Sequence, residues 1–171
     1  MLLKTRRLTR DAMLTGVALI IFIVEAQIPP LTSIPGIKMG LANIITVFAV
    51  FAVGPVDAAA ILASRVLLGS MFAGSLSTLM YSAAGGALCL LVMLALRHVL
   101  SMKQIWVASV IGAAAHNAGQ IAVAIAVTGT VGLLAYLPVL LMSGMLAGLF
   151  TGLCAQGVVR RMRNSQFAIR N

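Results

Sequence analysis

The chain has 171 residues, 61% of them hydrophobic and 9% charged, with a mean hydropathy of +1.11. A soluble domain carries roughly 25% charged residues, so this composition excludes a water-facing surface and fits one membrane domain. The net charge of +9 comes from cations at the two ends and in one internal loop, without the aromatic interleaving of a nucleic-acid platform, so no nucleic-acid partner is expected.

A membrane span needs about twenty apolar residues. Six stretches come close, and they predict an all-α bundle of six transmembrane helices at about 11–28, 37–53, 56–72, 75–96, 104–128 and 133–159. The first follows the basic segment Lys4, Arg6, Arg7 and Arg10. It looks like a signal peptide but lacks a small-residue cleavage site, so it reads as a retained helix. Between the first two spans, 25–43 is polar and broken by Pro29, Pro30 and Pro35. Proline removes a backbone donor and stops a helix, and this loop reads as the cap of a binding site. Gly54-Pro55 separates the second and third spans, either as a turn or as a kink within one long helix. Gly74 separates the third and fourth. Arg97 and Lys103 flank the next loop, and Arg160, Arg161, Arg163 and Arg170 follow the sixth span. Six spans put all three basic groups on one side, which the positive-inside effect makes the cytoplasm of a multi-pass plasma-membrane protein. The tail past Arg163 is polar and expected to fray. Cys89 and Cys154 both fall within spans and read as small buried residues rather than a disulfide.

Small residues set where helices approach. Ala12 and Gly16 form a small-xxx-small pair on the first helix, and Gly144, Gly148 and Gly152 recur every fourth residue on the sixth. In lipid such spacing brings backbones together, either inside the bundle or as a groove for another membrane subunit.

Polar groups inside the spans are the candidates for function. At about 1.5 Å per helical residue, Glu25, Arg65 and His116 lie roughly 15–20 Å above the basic side. Asn43 lies roughly 9 Å below the other side. Residues remote in sequence therefore share one level. His116, Asn117 and Gln120 are spaced to share a helix face. Asn117 and Gln120 serve either as interhelical hydrogen bonds or as part of the site, and His116 either fills the core or faces a ligand. Arg65 keeps its charge in practice and needs an anionic partner. Glu25 is one choice, an anionic ligand shared with Lys38 the other. Asp57 reads as a cap at the start of the third helix. A P-loop, clustered carboxylates, a Ser/His/Asp set and Cys/His metal spacing are all absent from the sequence. Catalysis, a bound metal and a cofactor are accordingly not expected.

The run Pro35-Gly36-Ile37-Lys38-Met39-Gly40-Leu41-Ala42-Asn43, with Glu25, Ile28-Pro29 and His116-Asn117-Ala118-Gly119-Gln120, resembles the Gx transporter family, many members of which are labelled heptaprenyl diphosphate synthase component I. The resemblance spans about 9–159. That family is similar to the S components of energy-coupling factor (ECF) transporters, six-helix proteins that capture a small molecule beneath the first outer loop. The polar residues read above, Glu25, Lys38, Asn43, Arg65, His116, Asn117 and Gln120, are then the expected substrate-binding set. The resemblance also implies docking of Ala12 and Gly16 on an ECF transmembrane subunit that works with ATPases. The chain lacks the aspartate-rich motifs of prenyl synthases. The expected function is uptake of a small anionic or amphipathic metabolite related to isoprenoids or quinones; a non-catalytic membrane subunit of heptaprenyl diphosphate or quinone synthesis is the second reading, and a structural membrane protein the third.

Overall fold

The computed structural model describes residues 2–28 and 40–170, with side chains described for 4–28 and 40–164. Helix α1 covers Leu2–Ala26, α2 Asn43–Phe48, α3 Pro55–Ala73, α4 Leu76–Arg97, α5 Ile105–Thr128 and α6 Leu137–Arg170. A π-helical turn, Ala49–Val53, extends α2, and a 3-10 turn, Val131–Tyr136, leads into α6. No strand occurs among the described residues.

Each break has a local cause. Gly54 has φ 149° and ψ 164°, a region essentially reserved for glycine, and Pro55 follows at the first helical position, where its missing N–H costs nothing. Gly54-Pro55 is therefore a full break, not a kink. The Gly54 N–H donates to the Ala49 carbonyl five residues back, at 2.8 Å, closing the π turn. Gly74 and Gly129 end α3 and α5 in the left-handed conformation. Ser75 caps α4 by accepting from the Thr78 N–H at 3.3 Å.

Among the described residues, four helices, α3 to α6, are long and apolar enough to cross a membrane. The expected second span is shorter than its sequence run. Among the described residues it is the helix Asn43–Val53, roughly 16 Å long at 1.5 Å per residue, about half of a 30 Å core. Residues 37–39 of that expected span lie outside the described residues, as does the proline-rich loop 29–36. Helix α1 has the length but carries Arg10, Asp11 and Glu25. The helix begins well before Asp11, and α6 runs on through Arg170 rather than fraying after Arg163.

The helices alternate in direction. Arg7 and Arg10 of α1 reach Asp57 in the first turn of α3, so these two helices start at the same end. The Trp106 N–H at the start of α5 donates to Gln156 Oε1 on α6, at 3.5 Å, so α6 finishes where α5 begins. Arg97 and Lys103 flank the connection from α4 to α5 at this same end. All the described basic groups except Arg65 thus share one face of the molecule. Gly144, Gly148 and Gly152 pack on α5. A Cβ at Gly148 would lie 2.8 Å from Ala113 Cβ and 2.9 Å from the Ser109 carbonyl oxygen; one at Gly152 would lie 2.7 Å from Trp106 Cα. These glycines serve packing inside the bundle, and the reading of them as an external docking groove is set aside.

Two apolar clusters frame the interior. The larger, around Val50, Ile61, Met93, Ile105 and Ala155, fills the half nearer the basic face. The smaller, Tyr81, Ile121, Ala124 and Leu140, lies toward the other end. Cys89 is buried, Cys154 is exposed, and both are free thiols; the expectation that both are buried holds for Cys89 alone.

Candidate functional site

Between those clusters lies a polar layer built by four helices. Glu25, Asn43, Arg65, His116, Asn117 and Gln120 are each at most 5% exposed.

The last turn of α1 carries Glu25 to the chain segment that opens α2. Its carboxylate accepts the Gly40 N–H at 2.6 Å and the Ala42 N–H at 3.5 Å. Gly40 has φ +84°, and a Cβ there would meet Asn43 Nδ2 at 2.8 Å and the His116 ring at 3.2–3.3 Å. Both the conformation and the contact call for glycine. On α2, Asn43 presents Oδ1 to Arg65 of α3, which donates from Nη2 at 3.3 Å. Arg65 also lies within electrostatic range of Glu25 and Cys89, and of His116.

Helix α5 supplies the remainder. The His116 ring lies between two glycines: Gly40 on one side and Gly85 of α4 on the other, where a Cβ would come 2.9 Å from Cε1. The same Cβ would lie 2.9 Å from Gln120 Cγ and 2.8 Å from the His116 carbonyl oxygen. Gly119 in turn lies against the Ala84 and Gly85 backbone. Asn117 turns the other way. Its Nδ2 donates to the Leu140 carbonyl of α6, and Gly144 provides the room. The three polar residues of α5 thus do not share one face: His116 and Gln120 look toward α4, and Asn117 toward α6. At about 100° per residue, adjacent positions 116 and 117 serve different neighbours.

Five buried atoms in this layer have no hydrogen-bond partner among the described residues: Asn43 Nδ2, Arg65 Nε, His116 Nδ1, Asn117 Oδ1 and Gln120 Oε1. Each belongs to a residue singled out from the sequence. An unsatisfied buried polar atom costs roughly 1–3 kcal/mol, and in a low-dielectric interior a half-satisfied network is unfavourable as a whole. The unpartnered set includes donors, Asn43 Nδ2 and Arg65 Nε, and acceptors, Asn117 Oδ1 and Gln120 Oε1.

Lys38 lies outside the described residues. Ala12 is exposed, and Gly16 faces open space with no atom within 4 Å of a Cβ built there. Asp57 is in the first turn of α3 as expected, but the N-cap is Gly54 and the carboxylate is held by Arg7 and Arg10. Sequence reasoning missed this clamp, and also Gly85 and Cys89 near the polar layer. The paired Gly85-Gly86 and Gly119 were the available signal for close approach of α4 and α5. Among the described residues, no three His, Cys, Asp or Glu side chains are grouped to hold a metal ion.

No curated protein and no solved structure matches the chain. The family model described as Heptaprenyl diphosphate synthase component I matches residues 14–158, most of the chain and all four helices of the polar layer. The chain is a membrane protein that belongs to the heptaprenyl diphosphate synthase component I family.

Proposed function

We propose that this chain captures a small anionic or amphipathic metabolite within the membrane and presents it for uptake, without itself being an enzyme. In this reading it crosses the plasma membrane six times as an S-component-like bundle. Both termini lie in the cytoplasm, and Glu25, Asn43, Arg65, His116, Asn117, Gln120 and Lys38 bind the substrate. The observation that carries it is the set of five buried polar atoms in one layer that have no partner among the described residues. The preference for an anion rests on charge. Glu25 is engaged by the Gly40 and Ala42 amides, whereas Arg65 donates to the neutral Asn43 oxygen. An arginine at that depth costs about 2.5–3.5 kcal/mol on insertion scales, and an anionic group offsets that cost by pairing with the fork. Transport driven by ATP would require a separate ATPase module, for which the face around Ala12 and Gly16 is the proposed contact.

The family description favours a second reading, a non-catalytic membrane subunit of heptaprenyl diphosphate synthesis. Gentle detergent extraction followed by mass spectrometry of the released small molecules tests the first. Wild type should release a carboxylate- or phosphate-bearing metabolite, and Arg65→Gln should bind it more than about tenfold more weakly, equivalent to 1.4 kcal/mol. Equal retention by a folded Arg65→Gln would refute the anion-site reading. Copurification of a prenyl synthase in place of ATPase subunits would favour the second reading.

A further inference from the structure

The basic face carries a feature unrelated to the polar layer. Met102, Lys103, Val159, Arg160, Arg163 and Asn164 line a cleft of about 160 Å³ where α5 begins and α6 emerges. Three cations line it, and no carboxylate does. The chain has only three acidic residues, and each is engaged elsewhere. Asp57 holds Arg7 and Arg10, and Asp11 holds Arg10. Glu25 accepts from Gly40 at the far end of α1. Among the described residues, no carboxylate therefore neutralises Lys103, Arg160 and Arg163. The larger cleft beside α1 differs, because Asp57 lies within it and holds two of its three arginines, Arg7 and Arg10.

The surroundings narrow the class of anion. Exposed apolar side chains lie close in sequence to the residues that line the cleft: Val99 and Trp106 on either side of Met102 and Lys103, and Met162 between Arg160 and Arg163. A tryptophan at this level suits the membrane–water interface. Guanidinium groups match phosphate oxygens in a fork geometry, and basic pockets between helices on such a face recognise lipid headgroups. We propose that the cleft binds the phosphate of an anionic phospholipid, with the acyl chains lying along the apolar flank of α5 and α6.

The test uses the full chain in nanodiscs of phosphatidylcholine alone or mixed with phosphatidylglycerol, with inorganic phosphate as a separate arm. Thermal melting and native mass spectrometry of retained lipid are the readouts. Phosphatidylglycerol should bind about tenfold more tightly than phosphatidylcholine and raise the melting temperature, and added salt should weaken the preference. The triple variant Lys103→Gln, Arg160→Gln, Arg163→Gln should lose the preference, while Arg97→Gln, which lies outside the cleft, should keep it. If the triple variant does not fold, Arg163→Gln alone should reduce the preference. Equal binding of the two lipids, or a preference that survives in the variants or at high salt, overturns the proposal. Protection by inorganic phosphate equal to that by the lipid also overturns it, in favour of a soluble phosphate ligand.

Discussion

At the residue scale, His116 and Asn117 are adjacent but pack against different helices. Asn117 bonds the α6 backbone at Leu140, a type of interhelical contact worth about 0.6–1.7 kcal/mol in membranes. Asn117→Ala should lower unfolding stability in detergent by about that amount and also weaken ligand retention, because its Oδ1 is one of the unpartnered atoms of the layer. Arg65→Gln should spare stability and lose ligand, and lysine should rescue only in part because it lacks the planar fork. Glu25 and Arg65 are near each other, yet Glu25 holds two amides and Arg65 holds Asn43. Glu25→Gln should therefore destabilise the α1–α2 connection, and adding Arg65→Gln should not restore it. Recovery of stability in the double variant would instead mark the two as a structural ion pair.

At the element scale, the informative breaks are those that glycine permits. A Cβ at Gly54 would meet nothing within 4 Å, so the cost of Gly54→Ala is purely conformational, about 1–3 kcal/mol, and should appear as a lowered melting temperature. Gly85→Ala fails for the opposite reason. Its Cβ would meet the His116 carbonyl and Gln120 Cγ, which forces α4 and α5 apart. Both the melting temperature and ligand retention should fall, whereas Gly54→Ala should lower melting alone. The clamp from α1 to Asp57 is weaker than its short contacts suggest, because the Arg7 side chain is 54% exposed. Exposed ion pairs contribute about 0.2–1 kcal/mol, and Asp57→Asn should cost no more than that in a melt at physiological salt.

At the scale of the whole molecule, the cations gather at one end, the polar layer lies beyond the midpoint, and an apolar exterior surrounds both. Large exposed side chains such as Met13, Ile20, Leu67, Met71, Leu91, Met142 and Phe150 suit contact with lipid. The alternating helix directions predict six passes even though α2 is short. This can be read by cysteine labelling in a Cys89→Ala, Cys154→Ala background. Cysteines at Lys4 and Asn164 should label from one side of the membrane and a cysteine at Gln27 from the other. Labelling of Gln27→Cys from the same side as Asn164→Cys would show that α1 does not cross.

The sequence by itself determined the class, the helix boundaries of α3 to α5 and the common level of Glu25, Asn43, Arg65 and His116. Composition decides which solvent the surface faces, and glycine and proline stop helices locally. A rigid rise per residue then turns sequence position into depth, so remote residues can be ranked along one axis without knowledge of the packing. Only the tertiary structure decided the horizontal arrangement. Depth does not say which neighbour a side chain meets, and rotation about each helix is set by close backbone approach at Gly85, Gly119, Gly144 and Gly148. That rotation sends His116 toward α4 and Asn117 toward α6. It also turned Asp57 from an expected cap into the anchor of α1, because an ion pair between helices fifty residues apart leaves no local pattern. The shortness of α2 was hidden too, since hydropathy scores 37–53 as one apolar stretch while the backbone turns at Gly40, held by Glu25 from another helix.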